Sequence, residues 1–163
     1  MKFNSKGFTL IELLTVIAII GILTALLTVS FGSVRKRGRD VQRKSDIKQI
    51  QAAFEFYRTD NDAYPASSPV SPIASCGQPY MGGVGGSQQY MANIPCDPQT
   101  NTAYYYSVGS PASTYVLVSC MENINDKDAF AGTVAGKPAW WPTAITWPPI
   151  TCATGYYYAV SNP

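Results

Sequence analysis

The stretch Lys6-Gly7-Phe8-Thr9-Leu10-Ile11-Glu12-Leu13-Leu14 sets a single carboxylate into a run that is otherwise free of charge from Phe8 to Val34. Leu, Ile, Val, Ala and Thr dominate that run. Its uncharged part, Leu13–Val34, is long enough as a helix to cross a hydrocarbon layer of about 30 Å. A helix apolar on every side must be buried in lipid or among other helices. Glu12 placed in lipid costs about 2.5–3.5 kcal/mol on insertion scales. A simple anchor gains nothing from that cost, whereas a bundle of helices does if a neighbouring chain supplies a cation. The charged segment ahead of the run, Met1–Gly7, is very short, and basic helix rather than a small-x-small cleavage site follows it near Ser30–Ser33. An ordinary secretory signal therefore does not account for it.

Beyond the apolar run, Val34–Arg58 still reads as helix. Ile47, Ile50, Phe54 and Tyr57 recur at i, i+3, i+7 and i+10, a stripe that can seat a small domain, and Val41 is expected to extend it. Seven of the 12 Lys and Arg residues fall between Arg35 and Lys48 and are expected to cover the rest of the helix surface. Three readings of that cluster are a solvated face, a partner for acids of neighbouring chains and anionic headgroups, and a DNA contact, for which so short a basic track is slender support. Asp60-Asn61-Asp62 and then Pro65 end the helix.

All 12 prolines and nine of the 13 glycines come after Tyr64, so the composition turns there from helical to turn-rich and β. Residues 66–94, with Pro69, Pro72, Pro79 and Gly82-Gly83-Val84-Gly85-Gly86, read as a long loop. Tyr104–Val108 and Tyr115–Cys120 read as a hairpin, and Gly155–Val160 as a final strand. The aromatic tail, with Trp140, Trp141, Trp147 and Tyr156-Tyr157-Tyr158, reads as core packing or as a stacking surface for sugars. The expected class is α+β, an antiparallel sheet packed on the apolar stripe of a long N-terminal helix.

The chain has no histidine, which removes Ser-His-Asp and Cys-His nucleophiles and every His-containing metal site. No nucleophile–base set or phosphate loop is visible, so an enzyme is not expected. Cys76, Cys96, Cys120 and Cys152 form no C-x-x-C pair. Behind an export segment they read as two disulfides, with Cys76–Cys96 and Cys120–Cys152 closing the shortest loops, in an oxidising compartment. The positive-inside rule alone, with Arg35–Lys44 more basic than Met1–Gly7, argues for the opposite orientation. No cofactor is expected: Glu122-Asn123-Ile124-Asn125-Asp126-Lys127-Asp128 reads first as a polar turn, although it offers oxygen ligands of the kind calcium prefers, with Asp126 and Asp128 the candidates. The spacing matches no EF-hand, and Lys127 interrupts it.

The short basic leader, Gly7 before Phe8, Glu12 as the fifth residue after that junction and the unbroken apolar helix together resemble the processing site of type IV pilins and type II secretion pseudopilins. Thr59-Asp60-Asn61-Asp62-Ala63-Tyr64-Pro65, followed by Ile94-Pro95-Cys96-Asp97-Pro98 and the Tyr104 strand, resembles the major pseudopilin of type II secretion and related pilins. The resemblance covers roughly residues 1–120 and leaves the tail from Asp126 without a motif. It implies a pilin-like fold, cleavage between Gly7 and Phe8 by a membrane peptidase, N-methylation of Phe8, and pairing of Glu12 with the Phe8 amine of an adjacent copy. It departs from the family pattern at Val29, where a proline would be looked for.

The division expected on this basis is a removed leader (1–7), a transmembrane or filament-core helix (8–34), a stalk helix (35–60) and an extracytoplasmic domain (61–163). The resemblance implies a type IV pilus subunit, held in the cytoplasmic membrane and then polymerised outside the cytoplasm. A type II secretion pseudopilin is the alternative, and a membrane-tethered carbohydrate-binding module a further one. Implied partners are copies of the same chain, the prepilin peptidase, a platform protein, an assembly ATPase and, before extraction, membrane lipid.

Overall fold

Thr9 caps a helix, α1, that spans Leu10–Asn61. The computed structural model of the chain describes residues 7–67, 73–82, 86–109, 112–143, 145, 147 and 150–162, apart from the side chains of residues 28–30 and 134. The leader up to Lys6, Pro69, Pro72, Gly83-Val84-Gly85, the tip of the turn at 110–111 and the Val29 side chain lie outside them. The described chain falls into two units, a first ending at Lys36 and a second from Arg37 onward.

In the first unit the apolar helix is bare. Leu10–Leu27 has a mean hydropathy of 2.7, and none of it is buried against the rest of the chain. It is long and apolar enough to cross a membrane.

The second unit begins with the stalk half of α1. Ile47, Ile50, Ala53 and Phe54 are buried, as the apolar stripe requires, while Tyr57 is half-buried. Val41 does not extend the stripe: it is 66% exposed, because the face that continues Ile47 and Ile50 toward the N terminus passes through Asp40 and Arg43. The helix ends where Asp62 turns into the left-handed region at φ 57°, and the Asn61 amide donates to the Tyr57 carbonyl at 2.8 Å. Aspartate and asparagine tolerate such a stop better than β-branched residues do.

Four strands form the main antiparallel sheet, in the order β3 (Tyr105–Val108), β4 (Tyr115–Cys120), β6 (Tyr156–Ser161) and β5 (Phe130–Ala131). Tyr105 faces Val118 across β3–β4, Leu117 faces Val160 across β4–β6, and Phe130 faces Tyr157 across β5–β6. One face of the sheet lays Tyr106, Tyr115, Leu117 and Val160 on Ile47, Ile50 and Phe54 of the stalk. The other lays Val116, Val118, Tyr157 and Ala159 on Trp141, Ile145 and Cys152 of the tail. β4 is covered on both faces, which is why Tyr115–Val118 reads as an unbroken apolar run and not as an alternating one.

The segment 66–94 is not the plain loop that its composition suggests. It carries a small hairpin of β1 (Tyr80–Gly82) and β2 (Gln88–Met91). The hairpin is held by an aromatic cluster of Tyr57, Tyr80 and Tyr90 with ring centroids 5.2–6.1 Å apart. Gly82 is needed for that approach, since a Cβ there would lie 2.8 Å from the Tyr57 ring. Cys76 is bonded to Cys96 beneath the hairpin, and Cys120 at the end of β4 is bonded to Cys152 ahead of β6. Each bridge restricts the unfolded chain by about 3–4 kcal/mol in the loop-entropy account.

Candidate assembly site

Gly7 and Phe8 precede the first helical turn, and Phe8 is 86% exposed. Thr9 and Glu12 then close on each other. Glu12 Oε2 accepts from the Thr9 backbone N–H at 2.9 Å and from its hydroxyl at 2.7 Å, and the Glu12 N–H donates back to Thr9 Oγ1 at 3.3 Å. This is the reciprocal arrangement of a capping box. Its signature, Thr-x-x-Glu ahead of an apolar run, stands in the sequence at Thr9–Glu12, and reading Glu12 as a docking residue alone passes over it. The carboxylate of a lone chain thus already has partners within its own helix terminus, where a negative charge also suits the helix dipole.

In the second unit the basic cluster does not simply cover the surface. Arg43 is buried, with 2% of its side chain exposed. Its Nε and Nη2 donate to the two oxygens of Asp97, at 2.6 and 3.2 Å, and its Nη1 donates to Asp40 at 2.8 Å and to Glu122 at 2.7 Å. Arg39 grips Glu122 with two hydrogen bonds of 2.6 Å. Asp40 in turn accepts from the backbone N–H groups of Glu122 and Asn123, and Asp97 from those of Gln99 and Thr100. One guanidinium therefore joins the stalk to the loop after Cys96 and to the end of β4.

Burial works against the Arg43 charge, but the bonds to Asp97, Glu122 and Asp40 outweigh it and hold the guanidinium protonated more firmly than usual. The Arg39 bond, joined by Arg43, keeps the Glu122 carboxyl below its ordinary range. Burial would raise Asp97, and the bonds from Arg43 and two backbone N–H groups reverse it. A signal for this network was present in the sequence: Asp40 and Arg43 continue the 3-4-3-4 spacing of Ile47, Ile50 and Phe54, so they lie on the face that docks.

With Arg39, Arg43 and Lys44 engaged by acids of their own chain, the outward cations of the cluster are Arg35, Lys36, Arg37 and Lys48. The basic track that could meet DNA is shorter than the sequence suggests. Asp126 and Asp128, the calcium candidates, both accept from the Lys44 ammonium. Among the described residues no group of three or more acidic, His or Cys side chains gathers, and the space between the two candidate carboxylates is taken by an ammonium of the same chain. Of the tail indoles, Trp141 is buried with its N–H on the Ile145 carbonyl, and Trp147 donates to the Thr133 carbonyl. Trp140 keeps 46% of its surface exposed.

Residues 2–28 match the family model of the prokaryotic N-terminal methylation motif. Over 137 residues the chain is 34% identical to the type II secretion system core protein G of Pseudomonas aeruginosa, covering 79% of this chain and 94% of that protein. It is 44% identical over 64 residues to the type IV wide pilus major component PilA4 of Thermus thermophilus, covering 39% of this chain and 49% of the relative. It is 37% identical over 65 residues to the type IV major pilin protein PilA of Myxococcus xanthus, covering 39% and 30%. No solved structure is matched by the chain. The methylation motif, the relative aligned over nearly its whole length and the α+β architecture lead to one conclusion: the chain belongs to the superfamily of type IV pilins and type II secretion pseudopilins.

Proposed function

We propose that the chain is a structural subunit of a pilin-type filament, stored in the membrane through its apolar helix and then polymerised through it. The observation that carries this reading is an 18-residue apolar helix segment, Leu10–Leu27, none of it covered by its own chain, with a single acid, Glu12, in its first turn. Such a surface is stable in lipid or against the same helix of other copies, and the exchange between the two needs no catalytic group. The division into leader, core helix, stalk and body belongs to this proposal, as do the export of the body from the cytoplasm and a filament outside it.

Cleavage after Gly7 would free an ammonium on Phe8, one turn from Glu12. Methylation of that amine keeps its charge. In the filament core, Glu12 would leave its own Thr9 and take the Phe8 ammonium of a neighbour. A buried pair of this kind adds little net stability, because desolvation offsets its attraction; its use is to fix the register between copies. The peptidase, a platform protein and an assembly ATPase are the machinery this chemistry calls for.

Pilus subunit and secretion pseudopilin fit about equally. The first is supported by relatives named as pilus components, the second by the alignment across 94% of a core protein G. Mass spectrometry of the mature chain and Glu12→Ala with filaments imaged directly test the proposal. We expect a chain beginning at methylated Phe8, and normal membrane insertion of the variant with assembly lost. An intact Met1, or filaments unchanged by Glu12→Ala, would sink it. Deleting the gene and scoring surface pili against export of folded proteins separates the two settings.

A further inference from the structure

The turn after β4 closes on the stalk through a cation the chain itself provides. Lys44 Nζ lies 2.5 Å from Asp126 Oδ1 and 2.8 Å from Asp128 Oδ2, and 5.6 Å from the centre of the Tyr158 ring. Asp126 Oδ1 also accepts the Asp128 N–H at 2.9 Å, and the Asp126 carbonyl accepts the Ala129 N–H at 3.1 Å, so the two carboxylates are held on one tight turn. The other end of the turn, Glu122 and Asn123, is fixed to Asp40 and Arg39 of the same helix.

We propose that Lys44 is the resident cation of this turn, so that residues 122–128 close onto the stalk without a divalent metal. A tight turn that presents two carboxylates and flanking amide and carbonyl oxygens is the chemistry of a hard-cation site. Here the position shared by the two carboxylates holds an ammonium, a compact charge with three donors on a long stem. A divalent ion bound to both acids would occupy the same space, so it could enter only by expelling Lys44. Burial works against the Lys44 charge, yet the bonds to Asp126 and Asp128 leave it held more firmly than usual. Without Lys44 the turn keeps two unneutralised acids and becomes a place where an added metal has something to gain. This inference does not depend on the filament reading.

The test compares the thermal unfolding of the full chain in detergent micelles, in chelator and in excess calcium chloride. Wild type is expected to melt at the same temperature in both. Lys44→Ala is expected to melt about 2–4 °C lower in chelator, the shift that roughly 1 kcal/mol produces in a chain of this size, and to recover in calcium. Calorimetric titration should then find calcium binding in the variant and none in wild type. Should Lys44→Ala fail to fold, Lys44→Gln, which keeps a donor and a shorter stem without the charge, takes its place. A calcium-dependent rise in wild type, a variant that melts like wild type in chelator, or a variant that calcium does not restore would each overturn the proposal.

Discussion

Arg43 Nε and Asp97 Oδ2 lie 2.6 Å apart across 54 positions of sequence, and both side chains are almost wholly removed from solvent. The pair joins the stalk helix to the loop that the Cys76–Cys96 bridge fastens from its other side. Asp40 and Glu122 complete the shell around the same guanidinium.

Removing the centre of that shell leaves Asp40, Asp97 and Glu122 without their shared guanidinium, with Arg39 still bonded to Glu122. Arg43→Met is expected to cost about 3–5 kcal/mol, the range for breaking a buried ion pair from one side. Arg43→Lys should fall between Met and wild type, since an ammonium keeps the charge but cannot bind Asp97 with two parallel N–H groups. Chemical denaturation of the three chains in the same detergent checks the order. An Arg43→Lys variant as weak as Arg43→Met would show that the fork geometry matters more than the charge.

Much of this architecture is legible in the chain before it folds. The apolar run ahead of Arg35, the Ile47–Ile50–Phe54 stripe and the β3, β4 and β6 strands all carry a period or a composition that only one element satisfies. The β1–β2 hairpin was hidden for a physical reason. Gln88, Gln89 and Gly82 give no alternation, and the hairpin exists because Tyr57, sent from the stalk, packs on Tyr90 and lies close to Tyr80. The spacing puts Arg43 on the docking face, but two of its acids, 54 and 79 positions away, are brought to it only by the fold. The Thr9–Glu12 capping box is legible in the sequence as Thr-x-x-Glu ahead of an apolar run.

Acid acts on the body through carboxyls shifted in opposite directions. The Glu122 and Asp97 carboxyls sit below their ordinary range in the folded chain, so their contribution is complete above the ordinary carboxylate values near 4 and fades as pH falls through the lowered ones. Asp46 runs the other way. Burial raises it, while its Tyr104 hydroxyl, at 2.7 Å, only partly compensates. Its contribution is present below the ordinary Asp value and is lost as pH rises through the raised one. Asp46→Asn, which still accepts from Tyr104, is therefore expected to melt higher than wild type at neutral pH and to match it in strong acid. Melting curves across the acid range decide this, and a lower melting point at neutral pH would contradict it.

The two disulfides hold different halves of the body, and the tryptophans report on one of them. Cys120–Cys152 encloses Trp140, Trp141 and Trp147, together with β5, whereas no tryptophan lies between Cys76 and Cys96. Within the longer loop Trp141 packs edge-on to Trp147 at 4.7 Å, and Trp147 lies 5.8 Å from Tyr157 of β6. That packing covers one face of β4, while the stalk covers the other independently. Replacing Cys120 and Cys152 by Ser is expected to cost about 3–4 kcal/mol and to shift indole emission to longer wavelength at denaturant concentrations where the helical signal is still intact. The same replacement at Cys76 and Cys96 should destabilise by a similar amount yet leave emission tied to global unfolding. If emission and helicity are lost together in the Cys120/Cys152 variant, the tail is not a separately opening layer, and the core on that face of β4 depends on the stalk after all.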